Sequence, residues 1–163
     1  MSDIIIRDPK PEDVDEAARI AVAAYTSIFA MRRSIMAEEL FGALHKDPLA
    51  GKERQVRSAC AGDNGAMVYI AELEGQVVGF VTFYVNLETG VGEIGDNAVD
   101  PAVQGKGIGP MMYERVLQRF RELGMRFAEV GTGLDPSHAP ARRAYEKAGF
   151  NIALPLVRYF QKV

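Results

Sequence analysis

The sequence is poor in the residues that build disulfide and metal centres. It contains one cysteine, Cys60, two histidines, His45 and His138, and no tryptophan. A single cysteine excludes a disulfide framework and a thiolate metal cluster within the chain. Two histidines are too few for a typical zinc site. We therefore expect chemistry that needs no metal.

Long apolar runs are also missing. No run approaches the roughly 18 residues that a membrane-spanning helix needs. The N-terminal region is acidic, and its apolar run at 4–6 is too short for a signal peptide. These features predict a cytoplasmic protein with no membrane partner. With 163 residues, 48% of them hydrophobic, we expect one globular domain spanning 1–163.

Positive charge is scarce in the first two thirds of the chain. Residues 1–103 carry 9 basic and 17 acidic side chains, whereas residues 104–147 carry 8 basic and 5 acidic ones. The net charge of -3 argues against a general nucleic-acid binder. The basic second part favours an anionic ligand there, and the acidic first part favours a cationic or amine ligand.

Hydrophobic periodicity and turn residues predict a mixed α/β layout. Strands are expected at 4–7, 66–73, 76–85, 92–99 and 127–134, and helices at 10–29, over much of 34–61, at 110–123 and at 137–148. Gly95 lies inside the fourth strand and suggests a bulge or a close approach of backbone. Ser137 or His138 can cap the last helix. The tail at 151–163 predicts one or two final strands.

A glycine-rich loop separates the fourth strand from the third helix. The stretch "VDPAVQGKGIGPMMYERVL" (99–117) has glycines at 105, 107 and 109, followed by Pro110. Proline suits the first position of a helix, and free amides at a helix N-terminus bind phosphate. Glycines allow an anion to approach these amides closely. The loop therefore predicts a phosphate site, with an ordinary tight turn as the alternative.

Two familiar phosphate motifs do not fit this loop. A Walker motif needs a glycine five residues before the Gly105-Lys106 pair and a Ser or Thr after the lysine, and the sequence has neither. The dinucleotide fingerprint would need glycine at position 110, where proline stands. The spacing therefore argues against a P-loop ATPase and a Rossmann site.

Two motifs together resemble the GNAT superfamily of acetyl-CoA-dependent N-acetyltransferases. The pyrophosphate motif Q/R-x-x-G-x-G/A is matched by Gln104, Gly107 and Gly109, after a strand that ends in V-D-P. The later signature N-x-x-A-x-x-x-Y-x-x-x-G-F is matched at Ala141, Tyr145, Gly149 and Phe150, with His138 in place of the asparagine. The resemblance covers nearly the whole chain. It implies the GNAT fold, a mixed and mostly antiparallel sheet that splays between strands four and five and is flanked by helices.

The resemblance also implies a site for acetyl-CoA as the cosubstrate. Its pyrophosphate would lie on the loop amides, with Lys106 adding charge, and its pantetheine arm would pair with the end of the fourth strand. Gly105 stands at a variable position of the motif and is also explained as a turn residue. The residues expected to bind the cosubstrate are Asn97, Ala98, Val99, Gln104, Gly105, Lys106, Gly107, Ile108, Gly109, His138, Ala141 and Arg142.

Three residues are expected to carry the chemistry. In the resemblance, Tyr145 is the acid that protonates the coenzyme A thiolate, and Glu93 falls where several members carry a glutamate general base. Asp96 is the other carboxylate nearby and could act through water. Each also has a structural interpretation: Tyr145 could simply pack in the core, and the two acids could be solvated residues at a strand edge.

The acceptor site is expected in the region 25–36, where Tyr25, Phe29 and Arg32 are candidate lining residues. Core packing explains the two aromatic residues equally well. The leading interpretation is an enzyme that acetylates a primary amine of a small molecule by direct attack in a ternary complex. The alternatives are an acetyltransferase acting on a protein or peptide and a non-catalytic acyl-CoA-binding module. A homodimer is possible, although no residue indicates it.

Overall fold

Five strands form one mixed sheet in the computed structural model, which describes residues 3–163. They lie side by side in the order of the sequence: β1 (Ile4–Arg7), β2 (Met67–Leu73), β3 (Gln76–Asn86), β4 (Val91–Val99) and β5 (Phe127–Val130). The first four strands pair antiparallel, and β5 runs parallel to β4. The expected α/β class with a mostly antiparallel sheet is therefore confirmed.

Four helices flank the sheet. They are α1 (Val14–Leu44), α2 (Pro48–Ala61), α3 (Ile108–Glu122) and α4 (Ala139–Lys147). Helix α1 continues further than its sequence pattern predicts and is broken at Ala37, whose φ of 61° and ψ of 164° lie outside helical values. A positive φ is rare for alanine. This break separates the part of α1 that packs on the sheet from a shorter segment that leads to α2.

The two faces of the sheet carry separate apolar clusters. One cluster joins the sheet to α3 and α4 through side chains such as Phe83, Met112 and Phe120. The other joins it to α1 and α2 through side chains such as Ile20, Val56 and Phe80. A sheet that is covered by helices on both faces explains why β2 and β3 are almost continuously buried.

The C-terminal tail differs from its prediction. Residues 151–163 form no helix or strand, and all of them are exposed. The prediction of one or two final strands was therefore wrong. The apolar, β-branched residues of this segment favour a strand conformation. A strand also needs a neighbouring strand with free backbone N–H and C=O groups. Within the single chain, the tail pairs with no strand.

Candidate active site

The centre of the site is the place where β4 leaves β5. The two strands pair only from Val91 to Ile94 in β4. Gly95 and Asp96 then stand opposite Thr82 in β3, which is one residue more than regular pairing allows. A Cβ atom at Gly95 would lie 2.6 Å from the Thr82 hydroxyl oxygen, so this bulge requires glycine. The predicted bulge and the predicted splay between strands four and five are both present.

The splay leaves backbone groups of β4 open on the side away from β3. The amide of Asp100 donates to the carbonyl of Val78 in β3, so alternation along an antiparallel pair directs Ala98 toward β3 and Asn97 and Val99 toward the gap. The side chain of Gln104 donates to the Val99 carbonyl across this gap. Asn97 and Val99 thus offer groups to an extended ligand. Ala98, which was expected to do the same, directs its groups into the sheet.

The loop before α3 presents a row of unused amides. In the described chain, the N–H groups of residues 104–109 donate to no protein acceptor, and the first bond of the helix runs from Met111 to Gly107. Gly105 and Gly107 have φ values of 84° and 80°, which favour glycine, and a Cβ atom there would meet nothing within 4 Å. This row at the N-terminus of a 15-residue helix suits a phosphate group. Gly105 therefore has a conformational role, beyond being a variable motif position.

A cleft of about 790 Å³ opens beside the gap. One face of α1 supplies Tyr25, Phe29 and Arg32, at the spacing that places residues on the same side of a helix. The other walls come from β4, the segment 131–133 after β5, and α4. All three candidate catalytic residues and all three candidate acceptor residues line this cleft, together with Asn97, His138 and Ala141 from the cosubstrate set.

A hydrogen-bond network fixes the hydroxyl of Tyr145. Asn97 donates from its side-chain Nδ2 to the Tyr145 oxygen over 3.1 Å and to the Gly95 carbonyl over 3.0 Å. Tyr113 donates to Asn97 Oδ1 over 2.8 Å, which supports the amide orientation that the Gly95 carbonyl requires. The Tyr145 hydroxyl lines the cleft and is also within hydrogen-bond reach of the Tyr113 hydroxyl, so its proton can be donated to either side. Burial raises the pKa of Tyr113, which keeps its donor protonated.

Asp96 is already engaged by two donors. Its Oδ1 accepts from Tyr25 over 2.9 Å and from the Lys52 ammonium over 2.8 Å. Lys52 also lies 4.3 Å from the centre of the Tyr25 ring. Burial and the adjacent carboxylate raise the pKa of Tyr25, so its hydroxyl stays a donor. Asp96 is therefore placed to hold α1 and α2 against β4.

Glu93 has a different environment. It lines the cleft, its side chain is exposed, and it makes no hydrogen bond or ion pair with another residue in 3–163. Its neighbours across the sheet are Tyr84 in β3 and Glu129 in β5. Both of its oxygens therefore remain able to accept a proton, directly or through water.

The segment between β5 and α4 is held by Asp135 and Arg142. Arg142 donates from Nη1 to the carbonyls of Gly133 and Asp135, so this nitrogen faces the segment and not the glycine loop. Burial alone would raise the pKa of Asp135, but bonds from Ser137 and from the His138 ring lower it to about 2. His138 stands at the N-cap of α4, one of the two expected positions, but its side chain makes no cap bond. Asp135 instead caps the turn that leads into α4.

Sequence reasoning missed Lys52 and Tyr113. Lys52 lies on α2 and meets Asp96, 44 positions away, so no local pattern connects them. The sequence does contain a pattern that marks Tyr113, since it follows Gly109 by four positions on the buried face of α3. That pattern indicates burial and does not indicate the bond to Asn97.

Comparison with known proteins identifies the family. The family model described as acetyltransferase (GNAT) matches residues 30–150. The chain belongs to the GNAT acetyltransferase family. The resemblance seen in its two motifs is thereby confirmed, and so is the expected fold.

Individual matching proteins share 34% sequence identity or less with this chain. A mycothiol acetyltransferase of Thermomonospora curvata is 34% identical over 85 residues, which are 52% of this chain and 28% of that protein, so the match spans less than a third of this relative. An aminoglycoside N-acetyltransferase AAC(6')-Iy solved with CoA has a TM-score of 0.64 at 16% identity, covering 100% of this chain and 97% of that one. The ribosomal-protein-S18-alanine N-acetyltransferase of Escherichia coli has a TM-score of 0.68 at 19% identity, covering 93% and 80%.

The residues present fit coenzyme A as the acyl carrier used by this GNAT chain. The free amides of 104–109 suit a pyrophosphate, and the open edge at Asn97 and Val99 suits the amides of a pantetheine arm. No group of three or more His, Cys, Asp or Glu side chains in residues 3–163 is placed to hold a metal ion. None of the described helices combines the length and apolar character needed to cross a bilayer.

Proposed function

We propose that this GNAT protein transfers the acetyl group of acetyl-CoA to a primary amine of a small molecule, by direct attack in a ternary complex. The observation that carries the proposal is the meeting of two groups in one cleft. The Tyr145 hydroxyl, a proton donor, and the unpaired Glu93 carboxylate both line the space beside the open edge of β4. An acid and a base on one cleft are what acyl transfer to an amine requires.

Different residues of the chain would bind different parts of acetyl-CoA. The amides of 104–109 would hold the pyrophosphate, and Lys106, exposed on the same loop, would add positive charge. Asn97 and Val99 would align the pantetheine along β4. Acetyl-CoA supplies the activated thioester carbonyl. The Asn97 N–H donates to the Tyr25 oxygen at the cleft, and it would stabilise a developing oxyanion if the acyl oxygen took the place of that hydroxyl.

The proton transfers follow from the two candidate side chains. Glu93 accepts a proton from the acceptor ammonium, directly or through water, so that the neutral amine attacks the carbonyl carbon. A C–N bond forms, the tetrahedral intermediate collapses, and the C–S bond breaks. Tyr145 then donates its proton to the departing thiolate, and the second proton of the attacking nitrogen passes to the tyrosinate or to water, which leaves a neutral amide. Asp96 is a weaker candidate for the base, because Lys52 and Tyr25 already occupy its Oδ1.

The shape of the acceptor side favours a small molecule. Tyr25, Phe29 and Arg32 on α1 and Lys52 on α2 form a wall over the cleft. Arg32 also lies 5.9 Å from the Phe29 ring, which adds a cationic side to this wall. A peptide acceptor, the second enzyme candidate, would need a continuous groove leading past this wall. A non-catalytic acyl-CoA module would not need a proton donor at Tyr145 or an unpaired Glu93.

Calorimetry and thiol release test the proposal together. We expect acetyl-CoA to bind and ATP not to bind, and coenzyme A to be released faster when small primary amines are added than when peptides are added. Binding of acetyl-CoA without release by any amine would indicate a binding module. Binding of ATP without acetyl-CoA would contradict the proposal altogether.

Replacing Tyr145 tests the assigned acid. Tyr145→Phe removes the hydroxyl and keeps the ring, so we expect kcat to fall about 100-fold or more while KM for acetyl-CoA changes little. Tyr69→Phe is the matched control, because Tyr69 is equally buried and lies against Arg115, outside the cleft. Equal kcat values for the two variants would remove Tyr145 from the mechanism.

A further inference from the structure

The cleft beside β4 carries two charged side chains that have no charged partner. Five of its lining residues can be charged at neutral pH: Arg32, Lys52, Glu93, Asp96 and His138. Lys52 pairs with Asp96 over 2.8 Å, and the His138 ring is bonded to Asp135 over 2.6 Å. Arg32 and Glu93 are exposed and form no ion pair within residues 3–163. One charge of each sign is therefore available to a ligand in the cleft.

Helix α1 runs antiparallel to β4 along one wall of the cleft. Arg19 contacts Asp100, which lies just beyond the end of the strand. Tyr25, six residues further along the helix, contacts Asp96, which lies four residues earlier than Asp100. Each turn of α1 beyond Tyr25 therefore advances toward the beginning of β4.

This direction brings the two unpaired charges to the same level of the cleft. Arg32 follows Tyr25 by two turns, which is about 10 Å along the helix axis. Glu93 precedes Asp96 by three residues, which is also about 10 Å along an extended strand. Arg32 on α1 and Glu93 on β4 therefore lie on opposite walls at one level, and no ion pair joins them.

The Arg32 guanidinium rests on a supported aromatic ring. It lies 5.9 Å from the centre of the Phe29 ring, and that ring packs edge-on against Phe41 and His45. Phe29 is buried, so its position is fixed by its neighbours. An arginine held over an aromatic ring keeps its N–H groups for a ligand, and their fork matches the oxygens of a carboxylate or a phosphate.

The opposite wall attracts positive charge. Glu93 in β4 is the direct neighbour of Glu129 in β5, and neighbours in this register share a face of the sheet. Glu129 is also exposed and forms no ion pair in the part of the chain that the structure describes. Two carboxylates side by side give this wall a negative potential, which favours an ammonium group.

We propose that the acceptor of the acetyl transfer proposed above, on which this inference rests, is an amine with an anionic group at its other end. Arg32 binds that carboxylate or phosphate, while the ammonium faces Glu93. A ligand with both charges satisfies both walls, whereas a diamine would place its second ammonium beside Arg32. A cleft of about 790 Å³ accommodates a small molecule of this kind.

Acceptors that differ only at one end test the assignment. The panel keeps one chain length and varies the end group of an ω-amino compound: carboxylate, phosphate, neutral carboxamide or second amine. We expect kcat/KM to be at least about 10-fold higher for the carboxylate or the phosphate than for the carboxamide, because a hydrogen bond to a charged group contributes a factor of this size. The diamine should be the poorest acceptor. A carboxamide or diamine that matches both anionic compounds would overturn the assignment.

Arg32→Gln and Arg33→Gln form a matched pair of variants. Arg33 is also exposed and lies 4.8 Å from an aromatic ring, that of Phe41, but it pairs with Glu38 and does not line the cleft. We expect Arg32→Gln to raise KM for the anionic acceptor about 10-fold and to leave KM for acetyl-CoA and the rate with the carboxamide unchanged. Arg33→Gln should change none of these values. A preference for the anionic acceptor that survives Arg32→Gln would contradict the assignment.

Charge reversal gives a second test at the same position. Arg32→Glu places a carboxylate where the guanidinium was, so we expect the diamine to become a better acceptor than the ω-amino carboxylate. An unchanged order of acceptors in this variant would show that Arg32 does not contact the end group.

Calorimetry separates this inference from the acetyl transfer itself. The ω-amino carboxylate and its carboxamide are titrated into protein saturated with coenzyme A, where no transfer occurs. Tighter binding of the carboxylate that Arg32→Gln removes supports the assignment even if no amine releases coenzyme A from acetyl-CoA, and the missing release would then count against the transfer alone. Equal binding of the two compounds would overturn the assignment even if both are acetylated.

Discussion

At the scale of single residues, Asn97 is the position on which the site depends most. Its backbone faces the gap in the sheet, and its side chain connects Tyr113 to Tyr145. A side-chain amide can be turned over by 180°, and the Gly95 carbonyl, which can only accept, selects the orientation that the bond from Tyr113 then supports. In that orientation Asn97 donates to Tyr145, and the Tyr113 ring also packs against the Tyr145 ring, 5.0 Å between centroids. Tyr113 is therefore a positioning residue for Tyr145, through Asn97 and through this direct contact.

Tyr113→Phe tests this positioning role. The change leaves Asn97 Oδ1 without its donor, so we expect the free energy of unfolding to fall by about 1–3 kcal/mol. Loss of about 1 kcal/mol in positioning would lower kcat roughly 5-fold, with little change in KM for acetyl-CoA. Steady-state kinetics and urea denaturation measure the two effects.

A double substitution distinguishes positioning from general destabilisation. If Tyr113 acts through Tyr145, adding Tyr113→Phe to Tyr145→Phe should reduce kcat very little further. Two independent effects would instead multiply, and that result would contradict the proposed connection.

At the scale of elements, the glycine loop before α3 depends on its backbone conformation. Gly107 stands at the N-cap of α3 with φ of 80°, and a methyl group there would meet no neighbour. Any effect of alanine at this position therefore comes from the backbone conformation and not from a clash. The same is true of Gly62, which has φ of 77° at the C-cap of α2.

Gly107→Ala and Gly62→Ala form a matched pair. Both should lower the free energy of unfolding by about 1 kcal/mol, because both place alanine in the left-handed region. Only Gly107→Ala should weaken acetyl-CoA binding, since only its loop presents the amides at 104–109. Calorimetric titration of both variants measures this, and equal affinities would remove the loop from the donor site.

At the scale of the whole molecule, one ion-pair network joins distant parts of the chain. Arg7 on β1 contacts both Asp13 oxygens, at 2.6 and 2.9 Å, and Glu72 on β2 at 2.7 Å. Asp13 also accepts from the Lys10 amide and is 3% exposed. The network therefore ties the first strand, the start of α1 and the second strand together.

This network gives stability a defined pH dependence. The bonds from Arg7 lower the pKa of Asp13 below its ordinary value, so its contribution is fully present above about pH 4 and is lost as the pH falls through the folded-state value. Asp13→Asn should cost about 2 kcal/mol at pH 6, and the difference from wild type should shrink toward pH 2.

Urea denaturation across this pH range provides the measurement for Asp13→Asn. Asp15→Asn is the control, because Asp15 pairs with Arg57 while its side chain is 90% exposed. We expect the control to change stability by a few tenths of a kcal/mol at most. A difference for Asp13→Asn that does not vary with pH would contradict the assignment.

Much of this molecule could be predicted from its sequence, and the exceptions share a cause. The glycine loop, the bulge at Gly95 and the helix that carries Tyr145 are marked by local residues, and they are present as predicted. Lys52 and the bond from Tyr113 to Asn97 depend on contacts between distant elements, which no local pattern encodes. The tail at 151–163 was wrongly predicted for a related reason: its pattern describes a strand, but the pairing partner is not part of the pattern.

The splay between β4 and β5 has a consequence for how the protein could diversify. The donor side of the cleft is made of main-chain amides and an open strand edge, which most side-chain substitutions leave unchanged. The acceptor side that we propose is lined by side chains of α1. Substitutions at Tyr25, Phe29 and Arg32 could therefore alter which amine is accepted while the donor remains the same. A single fold of this kind can supply many acceptor specificities from one unchanged acyl donor.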